Sequence, residues 1–207
     1  MQRNVLEYLE ETVKRVPDKI AFANDKTQLT FQQFSDDIRA IGSELIRKGY
    51  QKEPVLIYMN KSPEALEGFF GVIESGCFYV PLDEEMPKRR IELIIENTKA
   101  RVIVCDQENL KRVKELPFDG EIMLHEELAK KREDKEKLDK VRRTALDTDP
   151  LYVLFTSGST GMPKGVVGHH RGVIDYIDQL SAVLDFDEEI KKFQPSLEVE
   201  DAEDAIY

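Results

Sequence analysis

Cysteine is scarce in this sequence. Only Cys77 and Cys105 occur among 207 residues. Neither has metal-ligand spacing and each sits in an apolar, strand-like run, so both read as reduced core thiols. Long apolar runs are missing too: no stretch approaches the roughly 20 residues of a membrane span. The opening MQRNVLEYLEE is amphipathic and acidic, without the apolar core of a secretory signal. These absences predict a cytoplasmic protein. Positive charge is the third shortage. Thirty Lys and Arg stand against 41 Asp and Glu, a formal net charge of −11, which argues against a nucleic-acid partner because neutralising phosphates needs a basic surface. Nine of the acids, with only two bases, fall in residues 185–207, so the acidity belongs mainly to the tail and the body is nearly balanced. The remaining composition is that of a globular protein able to bury a core as one domain or two.

What is present is an alternation of helical and strand patterns. Residues 4–16 carry Val5, Leu9, Val13 and Val16 at nearly helical spacing before Pro17, which predicts an amphipathic helix. Segments 19–23 and 28–30 flank Asn24-Asp25-Lys26 and predict a β-hairpin. Thr30 and Gln33 form a capping box for a helix with Phe34, Ile38, Ile41 and Leu45 on one face, stopped by Gly49. From Pro54 the pattern becomes a series of βα units. A strand at 55–59 precedes a helix opened by Ser62-Pro63, with Leu66, Phe69, Phe70 and Ile73 inward. A strand at 77–80, a helix opened by Pro87 with Ile91, Ile94 and Ile95, and strands at 102–105 and 121–124 follow. Such alternation implies right-handed crossovers, hence an α/β fold: a largely parallel sheet with helices on both faces. Residues 126–143 are densely charged with mixed signs and predict a solvated helix or connector. A basic interaction surface is the alternative, weakened by the interleaved acids.

The richest stretch is 151–165, LYVLFTSGSTGMPKG. Leu151 to Phe155 read as a buried strand. The loop after it offers Ser and Thr hydroxyls, Gly158 and Gly161, a proline and Lys164. Glycines let backbone N–H groups close on an anion, hydroxyls add hydrogen bonds and lysine adds charge, a combination that suits a polyphosphate. Met162 and Pro163 separate Gly161 from Lys164, so this is not a Walker A loop, and it is not G-x-G-x-x-G either. By composition alone it also reads as an ordinary surface loop. On a parallel sheet, ligands bind outside the carboxyl ends of the strands, and the 156–164 loop leaves its strand at that end.

The ordered string narrows this. TSGSTGMPKGV closely resembles the phosphate-binding loop of the adenylate-forming (AMP-binding) ligases, the family of acyl-CoA synthetases, luciferases and nonribosomal peptide synthetase adenylation domains. LTFQQF at 29–34 resembles the family's early L-T-Y-x-E-L element, with Gln33 where glutamate is common. Residues 76–104 resemble its G-x-A-Y-V-P-L-D-P-x-x-P-x-x-R block, with Glu84 in place of the usual proline. The Y-V-P-L-D wording leans towards the amino-acid-activating branch. The resemblance implies that Thr156, Ser157, Gly158, Ser159, Thr160 and Gly161 cradle the β and γ phosphates of ATP, that Lys164 adds charge and that Mg2+ bridges phosphate oxygens. His170 matches the histidine that often follows P-K-G-V in the family. A surface or packing role is its other reading, and more so for His169. Two adjacent histidines without further ligands make a poor metal site.

The implied chemistry joins a carboxylic acid, here an amino acid, to ATP as an acyl-adenylate with loss of pyrophosphate. The acyl group then passes to a phosphopantetheine thiol on a carrier protein. A carboxylate needs no general base at neutral pH; the enzyme's task is alignment and neutralising the leaving group. The family's downstream elements do not appear: no Y-G-x-T-E, no Y-x-T-G-D and no C-terminal catalytic lysine. The resemblance therefore implies an incomplete N-terminal subdomain over 1–184, with 185–207 as an acidic tail of uncertain origin. That tail either loosely resembles the family's I-E-L-G-E-I-E-x-A-I segment or is an unrelated acidic terminus. Three readings stay open. The chain is part of an adenylating enzyme, a non-catalytic remnant or interaction module, or a fragment needing a second polypeptide. An incomplete sheet with bare edges also predicts self-association.

Overall fold

The computed structural model describes residues 2–156 and 162–184. Helix α1 (Leu6–Arg15) is followed by a hairpin of β1 (Ile20–Ala23) and β2 (Gln28–Thr30), in whose turn Asn24 Oδ1 accepts from the N–H groups of Lys26 and Thr27. Helix α2 (Phe31–Arg47) starts with the capping box that its sequence predicts. Thr30 Oγ1 accepts from the Gln33 N–H at 3.1 Å and Gln33 Oε1 accepts from the Thr30 N–H at 2.9 Å, an arrangement that stabilises a helix end by about 1 kcal/mol. Phe34, Ile38, Ile41 and Leu45 are all buried, and the helix ends at Gly49, whose φ of +86° favours a residue without Cβ.

The repeating part runs β3 (Pro54–Tyr58), α3 (Pro63–Glu74), β4 (Phe78–Leu82), α4 (Lys88–Thr98), β5 (Val102–Cys105), α5 (Leu110–Lys114), β6 (Glu121–Leu124), α6 (His125–Leu128), α7 (Lys135–Thr144), β7 (Pro150–Thr156), β8 (Lys164–His169) and α8 (His170–Leu184). The main sheet has the order β6-β5-β3-β4-β7-β8, parallel throughout except for the antiparallel edge strand β8. Central strands divide their side chains between two cores, as period-2 geometry requires. Val55 and Ile57 of β3 pack with Ile41, Leu45 and Val72 of α2 and α3, while Leu56 and Tyr58 pack with Ile91, Ile94 and Val113 of α4 and α5. The α/β class with helices on both faces is thus the observed architecture. Residues up to Ile174 form one unit, and a second begins at Asp175. Among the described residues no helix is long and apolar enough to cross a membrane.

Two elements depart from the sequence reading, and a third follows it. β8 is a strand where the sequence suggests only a continuing loop; KGVVGH, with two glycines, carries little strand propensity and owes its conformation to the ladder with β7. The inward face of α3 is broader than Leu66, Phe69, Phe70 and Ile73. The first three are half-buried, whereas Glu67, Gly68, Gly71, Val72 and Glu74 are buried, because α3 packs against both the sheet and α2. Gly71 permits that crossing: a Cβ there would stand 2.5 Å from Ile41 Cγ2 of α2. The charged 126–143 stretch supplies α6 and α7, and α7 is a solvated helix with Leu138 as its buried residue.

Candidate functional site

β7 runs parallel to β4, so Thr156 emerges at the same carboxyl edge as the ends of β3, β4, β5 and β6. Across the β7–β8 ladder Thr156 stands opposite Lys164, and its hydroxyl lies 3.5 Å from the Lys164 carbonyl oxygen. The two ends of the candidate loop are therefore joined as a neck, with both residues exposed. Ser157, Gly158, Ser159, Thr160 and Gly161 lie outside the described residues. Past the neck the ribbon needs glycine once more: a Cβ on Gly168 would meet the Tyr152 ring at 2.3 Å.

Near the neck a cavity of about 490 Å3 opens at the carboxyl ends of β4 and β7, against the start of α3. Ala65, Leu66 and Phe69 of α3 line it together with Pro81, Leu82, Met86, Leu154 and Phe155. Lys61 and Asp83 stand 3.6 Å apart among its polar lining residues. Asp83, the acid of the Y-V-P-L-D wording, also accepts from the Glu85 N–H at 2.9 Å, so it shapes the turn that leads into α4. From α4, Arg90 donates through Nη2 to the Phe155 carbonyl at 2.8 Å. The sequence reading left that guanidinium without a role, although Arg90 is the arginine of the P-x-x-R wording within the 76–104 block.

His170 is 4% exposed, at the start of α8. Its Nδ1 accepts from the Val5 N–H at 3.3 Å, which ties the entry of α8 to the N-terminal helix. Accepting at Nδ1 requires the neutral ring. Burial, reinforced by the Arg142 charge, pushes the imidazole down to about 4. His169, exposed, places Nδ1 2.7 Å from the Thr148 carbonyl oxygen. The Arg171 N–H donates to the Asp147 carbonyl at 2.7 Å. Residues 169–171 are thus fastened to 147–149, the turn just before β7, and of the two readings of His170 the packing role has the contacts.

The sequence that carries these contacts matches a known family. The profile of the family described as AMP-binding enzyme matches residues 9–197. The chain belongs to that family. This AMP-binding chain is 30% identical over 172 residues to gramicidin S synthase 1 of Brevibacillus brevis, covering 83% of the chain and 15% of that protein. It is 33% identical over 175 residues to gramicidin S synthase 2 of the same organism, covering 84% of the chain and 4% of that protein. The chain thus spans only a small part of the length of the curated relatives it matches. Its fold is that of the NpsA N-terminal subdomain of Klebsiella oxytoca, with a TM-score of 0.66 at 22% identity, over 83% of the chain and 42% of that structure. The AMP-binding chain most resembles the N-terminal part of a peptide-synthetase adenylation domain, and it spans less than half of that subdomain.

One polar group of the AMP-binding chain has no sequence signal. His125 Nε2 of α6 stands 2.8 Å from Glu67 Oε2 of α3, both residues buried. Asp37 of α2 lies beside them, and burial together with the Glu67 charge pushes its carboxyl up to about 7. Three acidic or basic residues spread over 89 positions of sequence cannot be read as a set before the helices are packed. Among the described residues no group of three or more His, Cys, Asp or Glu side chains is placed to hold a metal ion. Cys77 and Cys105 are free and buried, as the reading of two core thiols anticipates.

Proposed function

We propose that this chain is the ATP-phosphate-binding portion of an amino-acid-activating adenylation domain. The 156–165 loop would take the β and γ phosphates through Thr156, Ser157, Ser159, Thr160 and the backbone at Gly158 and Gly161, with Lys164 adding charge. The observation that supports this best is the family match over 9–197, spanning the loop sequence, together with the emergence of that loop at the carboxyl edge of a parallel sheet. Mg2+ would enter on phosphate oxygens rather than in a dedicated protein cage, as its reluctance to dehydrate favours. In the company of the further elements that longer relatives contain, the product would be an aminoacyl-adenylate, passed to the phosphopantetheine thiol of a carrier protein in the cytoplasm.

A second reading is favoured by one number. The chain spans 42% of the NpsA N-terminal subdomain, so this portion by itself would bind nucleotide weakly and catalyse nothing, serving at most as an interaction module. The test is equilibrium binding of Mg-ATP to the chain and to Lys164→Ala, with ATP–pyrophosphate exchange over a pool of amino acids. Binding weakened about tenfold or more in Lys164→Ala, the loss of one charge-assisted hydrogen bond, supports the phosphate loop. Exchange in the unmodified chain would overturn the inactive reading. Binding that ignores Lys164 would overturn the phosphate-loop reading.

A further inference from the structure

The ladder between β4 and β7 stops early. The two strands pair at Tyr79 opposite Tyr152. Two residues on, β4 carries Pro81, which has no N–H to lend to a neighbouring strand. From Tyr152 to Thr156, β7 continues for four residues, roughly 13 Å at strand rise. Its partner there is β8, itself the edge of the sheet. The neck of the loop is therefore the end of a ribbon whose ladder past Tyr152 is with β8 alone, with a cavity lined by α3, the end of β4 and the end of β7 beside it. The ribbon is fastened at its base, where residues 169–171 meet 147–149 and His170 meets Val5.

We infer that Arg90 is the positioning residue for the phosphate loop: its hydrogen bond to the Phe155 carbonyl takes over from the missing β4–β7 ladder and fixes where the ribbon ends. Several features fit Arg90 for this. It is rooted on α4 next to Ile91, Ile94 and Ile95, whose buried cluster also receives Val153 and Phe155, so anchor and ribbon share one core. It is half-buried, which strengthens a charge-assisted bond to a carbonyl. The partner is the last residue before Thr156, so a shift of Phe155 is passed directly to the first hydroxyl of the loop. An arginine reaches with a rigid planar fork, where a lysine would present a mobile point charge. Arg90 acts through the backbone and is not assigned to the phosphates themselves.

This inference rests on the proposed phosphate-binding reading only for its consequence, and two readouts separate the two. Hydrogen exchange on the full chain and on Arg90→Met, which keeps an apolar stem, reports the ribbon directly. Amides of residues 154–156 and 164–166 exchange about tenfold faster or more in Arg90→Met, while those of β3 and β5 are unchanged. Mg-ATP affinity falls in parallel, and Arg90→Lys recovers only part of both effects. Unchanged exchange at the neck overturns the inference whatever the nucleotide does. Faster exchange throughout the sheet also overturns it, because Arg90 then serves general stability. Faster exchange confined to the neck with unaltered Mg-ATP affinity overturns the positioning role. If the unmodified chain binds no Mg-ATP, the functional reading fails, and neck exchange alone decides whether Arg90 sets the ribbon.

Discussion

The buried imidazole of His170 makes stability depend on pH in a way that one substitution isolates. In the folded chain it titrates at about 4 because burial disfavours its charged form, while its ordinary value is 6.5. Between those values the unfolded chain holds a proton that the folded chain does not, so stability is lost as pH falls. At pH 7 both states are neutral and the effect is near zero. At pH 5 it is about 2 kcal/mol and at pH 4 about 3 kcal/mol, from the linkage relation applied to the two values. Asparagine places an acceptor oxygen near the position of Nδ1 and does not titrate, so His170→Asn retains the bond from the Val5 N–H. Urea unfolding of the two proteins at pH 7, 5 and 4 gives the comparison, and other titrating groups cancel in the difference. His170→Asn starts out the less stable because a smaller side chain leaves a gap. The gap between the two proteins should then shrink by about 3 kcal/mol on going to pH 4. A difference that does not change with pH would refute the neutral, Val5-bonded imidazole.

Asp37 works in the opposite sense. Its folded value of about 7 lies above the usual 3.8, through burial and the neighbouring Glu67 charge, with Asp36 adding to the rise and His125 opposing it. Stability from this group is therefore lost as pH rises from about 4 to about 7, and Asp37→Asn should gain on the parent protein across that window in the same unfolding assay. Gly71→Ala should destabilise. The added methyl meets Ile41 at 2.5 Å, and overpacking of about 1–3 kcal/mol outweighs the roughly 1 kcal/mol gain in helix propensity. Thermal melting reads this as a fall of a few degrees. Burial pushes the Cys105 thiol up to about 12, and it raises Cys77 as well. A maleimide should therefore label neither at pH 7 on the timescale that labels both in guanidinium; rapid native labelling of either would show that the cores open readily.

Periodicity located most elements of the sheet because each strand from β3 to β6 is a short apolar run closed by a turn signal and the longer helices α2, α3 and α4 show stripes, whereas the five-residue α5 is too short to show one. The capping box at Thr30 and Gln33 was visible because it is wholly local. What escaped was whatever depends on a neighbour. β8 has glycines where a strand former would stand, and it pairs because β7 offers an edge. Glu67 sits at a helical position that a stripe of Leu66, Phe69 and Phe70 assigns to the outer face, yet α6 brings His125 against it. The candidate phosphate loop was read from an ordered string of residue types; its flanking neck, Thr156 against Lys164, became visible only with the ladder.

Pro81 and Arg90 show how these two kinds of information combine. Both stand in the 76–104 block that marks the family resemblance, nine residues apart, and in sequence nothing connects them. Folded, the proline ends one seam of the sheet and the arginine closes the same seam further along by a different bond. Past Tyr79 and Tyr152 the two strands stay side by side without further ladder pairs, and the arginine supplies a side-chain bond there instead. That single side-chain bond braces the ribbon beside a cavity of about 490 Å3. An arginine's planar fork can hold the end of a strand by its carbonyl where ladder pairs have stopped. By the same reasoning Pro81→Val, which restores the missing N–H, should extend the ladder and make the neck less dependent on Arg90. The exchange penalty of Arg90→Met should be smaller in the double variant than in the single one. Equal penalties in both backgrounds would show that the proline and the arginine act independently.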